Sequence, residues 1–150
     1  DTVHEFQIEN LAGRILDVLR EEGHTSLSVL GLSYKPKTGI IDESPAIGLI
    51  EKIMEHNGSV KISVYDPLAM DNVKRLFGEK VFYASSAEDC LNRSSCWILA
   101  TPEKNYIPIF TKHALKNKGT AIDCWRVLDP NKFKKHTHYL SPGGNLYENR

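Results

Sequence analysis

The sequence predicts an α/β domain: a mostly parallel sheet between two layers of helices, preceded by an N-terminal helix. Two observations lead there. Short apolar runs of strand length, at 27–32, 60–65, 96–100 and 120–123, alternate with stretches whose apolar residues recur at helical spacing. Those runs are almost continuously apolar, as strands are when helices cover both faces of a sheet. Strands separated by helices imply βαβ units, and so a three-layer sandwich.

Each element has its own signal. Ile8, Leu11, Ile15, Val18 and Leu19 form a helical stripe within residues 3–22, and Gly23 stops it. No capping residue precedes this helix, so it is expected to be the end of a longer one. Residues 27–32 give the first strand, followed by turn chemistry from Tyr34 to Gly39. Ser44 is the expected N-cap of the next helix, with Pro45 at its first position and Asn57-Gly58 at its end, glycine being free to turn left-handed. A strand at 60–65 ends at Asp66-Pro67, and a helix runs over 70–77. A short edge strand at 80–83 and a helix at 86–92, capped by Ser86, come next. A strand at 96–100 ends at Thr101-Pro102. A helix at 107–116, a strand at 120–123 and a last strand at 138–140 complete the series.

At 150 residues the chain holds one domain of ordinary composition, 41% apolar and 25% charged. Its 19 basic and 19 acidic residues cancel, which argues against a general nucleic-acid binder. No apolar run approaches membrane-spanning length, and the first residues do not resemble a signal peptide. Three cysteines, Cys90, Cys96 and Cys124, make no disulfide framework and no metal spacing; they read as packing residues in a reducing, cytoplasmic setting. His136 and His138 share a strand face without a third ligand, so no metal site is expected. Serine, histidine and aspartate occur in no nucleophile context.

In a sheet of this kind ligands bind beyond the carboxyl ends of the strands. The residues after Leu32, Tyr65, Ala100 and Ile122 are therefore the candidates. The first of these exits is a connection of about eleven residues, long for a βα loop. It carries Lys35 and Lys37 and leads to a helix N-terminus, an arrangement suited to a phosphate. Asp42 and Glu43, just before Ser44, place that phosphate nearer Lys35 than the helix tip. Asp66 imitates the acid that holds a ribose in dinucleotide folds, or else serves its own turn. No G-x-G-x-x-G accompanies it, so tight binding of NAD by this chain alone is not expected. In Asp123-Cys124-Trp125-Arg126 the arginine suits a phosphate and the tryptophan a base; the alternative is a structural Arg–Asp pair with a packed indole.

Taken together, three segments carry a resemblance. Leu30-Gly31-Leu32-Ser33-Tyr34-Lys35-Pro36-Lys37-Thr38-Gly39 with Glu43-Ser44-Pro45-Ala46, then Val64-Tyr65-Asp66-Pro67-Leu68, then Asp123 to Asp129, resemble the C-terminal domain of the UDP-glucose/GDP-mannose dehydrogenase family. Gln7 and Ile8 are similar to the end of that family's central helix. The resemblance implies a Rossmann-like fold, with residues 1–24 ending a linking and dimerisation helix and 25–150 forming the UDP-sugar-binding domain. It implies a partner N-terminal domain that binds NAD, a homodimer, and oxidation of a sugar alcohol to a uronate. Tyr34 and Lys35 match the family's aromatic-lysine pair at the nucleotide-sugar site, where Lys35 neutralises the substrate and Tyr34 lines the uridine pocket. The family's usual Asp-Gly-Arg-Asn stands here as Asp-Cys-Trp-Arg, so Trp125 takes the arginine's place and Arg126 is shifted by one. Ile40 replaces an acid, and Asp42 stands where the family has an arginine near NAD. The catalytic cysteine motif is absent, which implies that this chain alone does not transfer hydride. The competing expectation is a non-enzymatic α/β module, such as a receiver domain modified at Asp66, or a purely structural dimerisation domain.

Overall fold

The computed structural model describes residues 2–33, 38–133 and 137–140. Among them, six strands form one sheet, all neighbours parallel. The chain runs α1 (Thr2–Glu22), β1 (Ser26–Leu30), α2 (Pro45–His56), β2 (Lys61–Tyr65), α3 (Met70–Phe77), β3 (Phe82–Tyr83), α4 (Ala87–Asn92), β4 (Cys96–Leu99), α5 (Tyr106–Lys116), β5 (Gly119–Asp123) and β6 (Thr137–Leu140). The order across the sheet is β3-β2-β1-β4-β5-β6. The chain thus builds outward from β1 through β2 to β3, then returns to build from β4 on the other side. This doubly wound order leaves a crevice between the carboxyl ends of β1 and β4, where connections diverge to opposite faces.

The period-2 alternation of the strands sorts residues between two cores. Leu27 and Val29 of β1, Ile62 and Val64 of β2 and Ile98 of β4 meet α1 and α2 through Leu11, Ala12, Ile15, Leu19, Ile50 and Ile53. Leu30, Trp97, Leu99 and Ala121 face the other way, against Leu91 of α4 and Phe110 and Ala114 of α5. Of the expected stripe on α1, Leu11, Ile15 and Leu19 are seated in this core together with Ala12, whereas Val18 is only half-buried and lies outside it.

Most expected boundaries hold, and two caps differ. Gly23 takes φ 74°, and the amides of Gly23 and His24 close on the carbonyls of Arg20 and Leu19, the Schellman pattern that ends α1. Ser86 caps α4 as expected, accepting from the Asp89 amide at 2.9 Å. Ser44 does occupy the N-cap position of α2, yet its hydroxyl donates to the Leu32 carbonyl at 2.8 Å instead of accepting from the helix. At the other end Gly58 is not left-handed: the Asn57 side chain closes the turn by accepting from the Ser59 amide at 3.1 Å.

All three cysteines are unbridged and buried, as expected. Burial pushes each thiol up to about 12, so none is a ready nucleophile. No helix among the described residues is long and apolar enough to cross a membrane.

Two histidines set a pH dependence. His24 lies 2.9 Å from the Thr120 hydroxyl, and His113 packs edge-on to Trp97 with ring centroids 4.8 Å apart. Burial lowers the pKa of both from the ordinary 6.5. The unfolded chain then binds protons first as pH falls, so stability present above about 6.5 is lost on acidification through the lowered folded values. Glu9, lowered by its bond to His56, and Asp89, lowered by the Ser85 amide, contribute only further down, below their ordinary 4.5 and 3.8. Urea midpoints should fall between pH 7 and pH 5. In a His24→Gln/His113→Gln variant that fall should be visibly shallower; an unchanged slope refutes the assignment.

Candidate functional site

Because every strand is parallel, the exits of β1, β2, β4 and β5 share one edge of the sheet. At the crevice Gly31 takes φ 96°, and a Cβ there would stand 2.2 Å from Thr101 Oγ1. Glycine is thus required both by its conformation and by the close approach of the β4 exit. The Gly31 amide donates to the Tyr65 carbonyl at 2.9 Å, and the Ala100 amide to Leu30 at 3.0 Å, so the exits remain laced together beyond the strands.

Asp66 organises the β1 exit. Its Oδ2 accepts from the amides of Leu32 (2.9 Å) and Ser33 (3.0 Å) and lies 2.9 Å from the Ser33 hydroxyl. Its Oδ1 accepts from the Leu68 amide at 3.0 Å. The side chain is 5% exposed with both oxygens engaged, so it serves its own turn and is not placed to hold a ribose. The same burial removes the footing of the receiver-domain alternative, whose aspartate must offer an oxygen to a phosphodonor. Tyr34 and Lys35, with Pro36 and Lys37, lie outside the described residues. Their flanks, Ser33 and Thr38, are both fixed at this edge, with Ser33 Oγ 2.5 Å from the Thr38 carbonyl. Asp42 and Glu43 are exposed before α2, and Glu43 takes φ 58°.

At the β5 exit Asp123 is fully buried. It accepts from the amides of Trp125, Val127 and Leu128 at 3.2, 3.2 and 2.9 Å, and from the Tyr139 hydroxyl at 2.7 Å. The Trp125 indole N–H donates to the Ala100 carbonyl at 2.9 Å, and the ring packs on the core. Of the two expectations for Trp125, the packed indole is the one the geometry favours. Arg126 is exposed and has no ion pair among the described residues, so it does not form the structural pair with Asp123. It lies two strands from β1, roughly 10 Å away at ordinary sheet spacing.

Arg126 also sits at φ 56°, a left-handed conformation that costs a side-chain-bearing residue about 1 kcal/mol. Arg126→Gly, or Arg126→Asn as in the family's usual turn, should raise the urea midpoint by an amount equivalent to about 0.5–1 kcal/mol. A lowered midpoint in both variants contradicts the strain.

A family model described as "UDP-glucose/GDP-mannose dehydrogenase family, UDP binding domain" matches residues 28–130. The chain belongs to this family. It is 31% identical over 118 residues to the UDP-glucose 6-dehydrogenase AglM of Haloferax volcanii, covering 77% of this chain and 27% of that protein. It is 25% identical over 122 residues to the UDP-glucose 6-dehydrogenase TuaD of Bacillus subtilis, covering 80% and 26%. The chain therefore spans about a quarter of the length of these relatives and corresponds to their C-terminal, UDP-binding part. In fold it is similar to a UDP-glucose dehydrogenase from Pyrobaculum islandicum, with a TM-score of 0.69 at 22% identity over 89% of this chain and 29% of that one. It is also similar to the UDP-N-acetyl-mannosamine dehydrogenase Cap5O from S. aureus, with a TM-score of 0.60 at 18% identity over 93% and 30%.

The dehydrogenase family implies NAD, and the described residues of this chain do not fit a dinucleotide site. Gly31 is filled against by Thr101, leaving no cradle for a pyrophosphate, and the Asp66 carboxylate is spent on backbone amides. Sequence reasoning pointed to the exit after Ala100, and so to Thr101, but assigned it no role and did not reach Glu103 and Tyr106 at the same edge. Thr101 is 4% and Glu103 8% exposed, and Glu103 accepts from the Asn105 amide at 3.3 Å. Tyr106 is buried beside them; burial first, then the charge of Asp66, raises its pKa, so its phenol stays neutral. Only the strand order, which brings β4 beside β1, makes their position meaningful. The exit at Thr101-Pro102 was the one available signal.

Proposed function

We propose that this chain binds the UDP portion of a nucleotide sugar at the carboxyl edge of its sheet. It does so as the substrate-holding part of an NAD-dependent UDP-sugar 6-dehydrogenase that converts a sugar alcohol to a uronate. The match of residues 28–130 to the family's UDP binding domain carries this reading. The doubly wound strand order supports it, since such a fold offers its ligand site along the carboxyl edge of the sheet, here outside the closed contact of Gly31 with Thr101. Lys35 neutralises the diphosphate and Tyr34 lines the uracil, with Arg126 as a second cation at the same edge. The chemistry and NAD belong to an N-terminal domain of the whole protein. Residues 1–24 end the helix that links the two domains and pairs two subunits. Three buried thiols left unbridged favour a cytoplasmic setting.

Calorimetric titration of the 150-residue chain with UDP, and separately with GDP, tests the proposal. Saturable binding of UDP in preference to GDP is the expected result. Absence of UDP binding at millimolar concentration, or a preference for GDP, overturns it.

A further inference from the structure

Two buried side chains at the β4 exit have hydrogen-bonding capacity that the described residues leave unused. Tyr106, the first residue of α5, and Glu103, just before it, are 6% and 8% exposed. The Tyr106 hydroxyl has no hydrogen bond among the described residues. Glu103 Oε1 accepts from the Asn105 amide at 3.3 Å, while Oε2 has neither a hydrogen bond nor an ion pair among them. The Tyr106 amide donates to the Glu103 carbonyl at 3.0 Å, so one turn holds both residues. The phenol ring packs with Leu30, Leu91 and Leu99. After burial, the charge of Asp66 and then that of Glu103 raise its pKa, which puts the neutral hydroxyl near both. Asp66 follows β2, Glu103 follows β4, and β1 lies between those strands. The hydroxyl therefore lies at the carboxyl edge, where such a fold binds its ligand. Asp66 and Asp123 at neighbouring exits show the ordinary case, with their oxygens engaged by backbone amides. A buried hydroxyl or carboxylate oxygen without a partner is costly and rare, and here two stand three residues apart.

We propose that Glu103 and Tyr106 form a subsite for the hydroxyl groups of a sugar, with Glu103 Oε2 as acceptor and the Tyr106 hydroxyl as the second contact. The proposal rests on the reading that this edge binds UDP. No lysine or arginine among the described residues is buried beside the pair. One carboxylate and one neutral phenol repel a phosphate and suit groups that donate O–H. Adjacent sugar hydroxyls supply two such donors, and the ribose and the hexose of a nucleotide sugar both carry them.

The test titrates UDP, 2′,3′-dideoxy-UDP and UDP-glucose into the unchanged 150-residue chain, Glu103→Gln and Tyr106→Phe. Urea midpoints are measured without ligand. Glutamine keeps the shape and removes the charge, and phenylalanine removes only the hydroxyl. Since the unliganded chain does not use that hydroxyl, the Tyr106→Phe midpoint should be unchanged or higher. With ribose in the subsite, UDP and UDP-glucose bind about threefold to tenfold more weakly to Tyr106→Phe and about tenfold more weakly to Glu103→Gln, whose bond is charge-assisted. The dideoxy nucleotide, which lacks those hydroxyls, then binds the variants and the unchanged chain equally. With the hexose there, UDP affinity is unchanged and UDP-glucose alone shows these losses. Unchanged affinity for all three ligands overturns the proposal. An equal loss for all three overturns it too, since the pair then only shapes the edge. A lowered Tyr106→Phe midpoint also counts against it, because the hydroxyl then already has a partner, such as a structural water. If the unchanged chain binds neither UDP nor UDP-glucose, the functional reading fails and the subsite falls with it, while the midpoints still report whether the hydroxyl lacks a partner.

Discussion

Asp123→Ala should be the most destabilising single change at the candidate edge, lowering stability by on the order of 4 kcal/mol. The carboxylate is fully buried and gathers three backbone amides and one phenol. Alanine leaves these four donors without their acceptor. Each buried group so orphaned costs about 1–3 kcal/mol, less where water can reach it, as it can at exposed Val127. Set against a typical total of about 5–15 kcal/mol, that loss is large.

Two milder variants give the effect its internal order. Asp123→Asn keeps one acceptor but turns an amide toward donors and should cost less than alanine. Tyr139→Phe removes the hydroxyl's bond to Asp123 and keeps the ring stacked on Phe133, whose centroid is 5.1 Å away; it should cost about 1 kcal/mol. Urea denaturation of the three variants checks the series. An Asp123→Ala protein that unfolds at the same urea concentration as the parent would show that the turn does not depend on this carboxylate.

The contrast between Asp123 and Asp66 also shows what a sequence can and cannot disclose. Both stand at strand exits, and the β1 exit was legible because Leu27–Leu32 is a short apolar run followed by turn residues. The boundaries of α2 were legible because Ser44-Pro45 suits the first turn of a helix. The partner of the Ser44 hydroxyl was not legible, since a hydroxyl serves a helix amide or a strand carbonyl equally well. That choice is made by the proximity of Leu32 in three dimensions. The same holds for Gly58, whose expected left-handed turn gave way to a side-chain bond from its neighbour Asn57. Strand order is set by crossovers that no local pattern encodes. The meeting of Gly31 with Thr101, and of Asp66 with Leu32 and Ser33, therefore emerges only from the fold. That the strand exits mark the ligand edge could be read from the alternation of strands and helices; the scaffold that joins those exits could not.

Lys35→Ala should produce the largest loss of function, weakening UDP binding by about tenfold to a hundredfold. A charge-assisted bond to a phosphate is worth about 1.5–3 kcal/mol, and that range converts to this span of affinity. The chain's formal charge is zero, so no general positive field compensates for a missing lysine. Asp42 and Glu43, both exposed on the same connection, make an uncompensated diphosphate still less welcome there. Arg126→Ala, two strands away, should cost less than Lys35→Ala. Uridine carries no phosphate, so its weak affinity should be the same for the parent and the Lys35 variant. Raised salt should weaken UDP binding more in the parent than in the variant. Parallel titrations with UDP and uridine at two salt concentrations separate charge from shape. Equal UDP affinity in the parent and Lys35→Ala would remove this lysine from the site, and an equal loss for uridine would assign it to shaping the loop instead of neutralising the diphosphate.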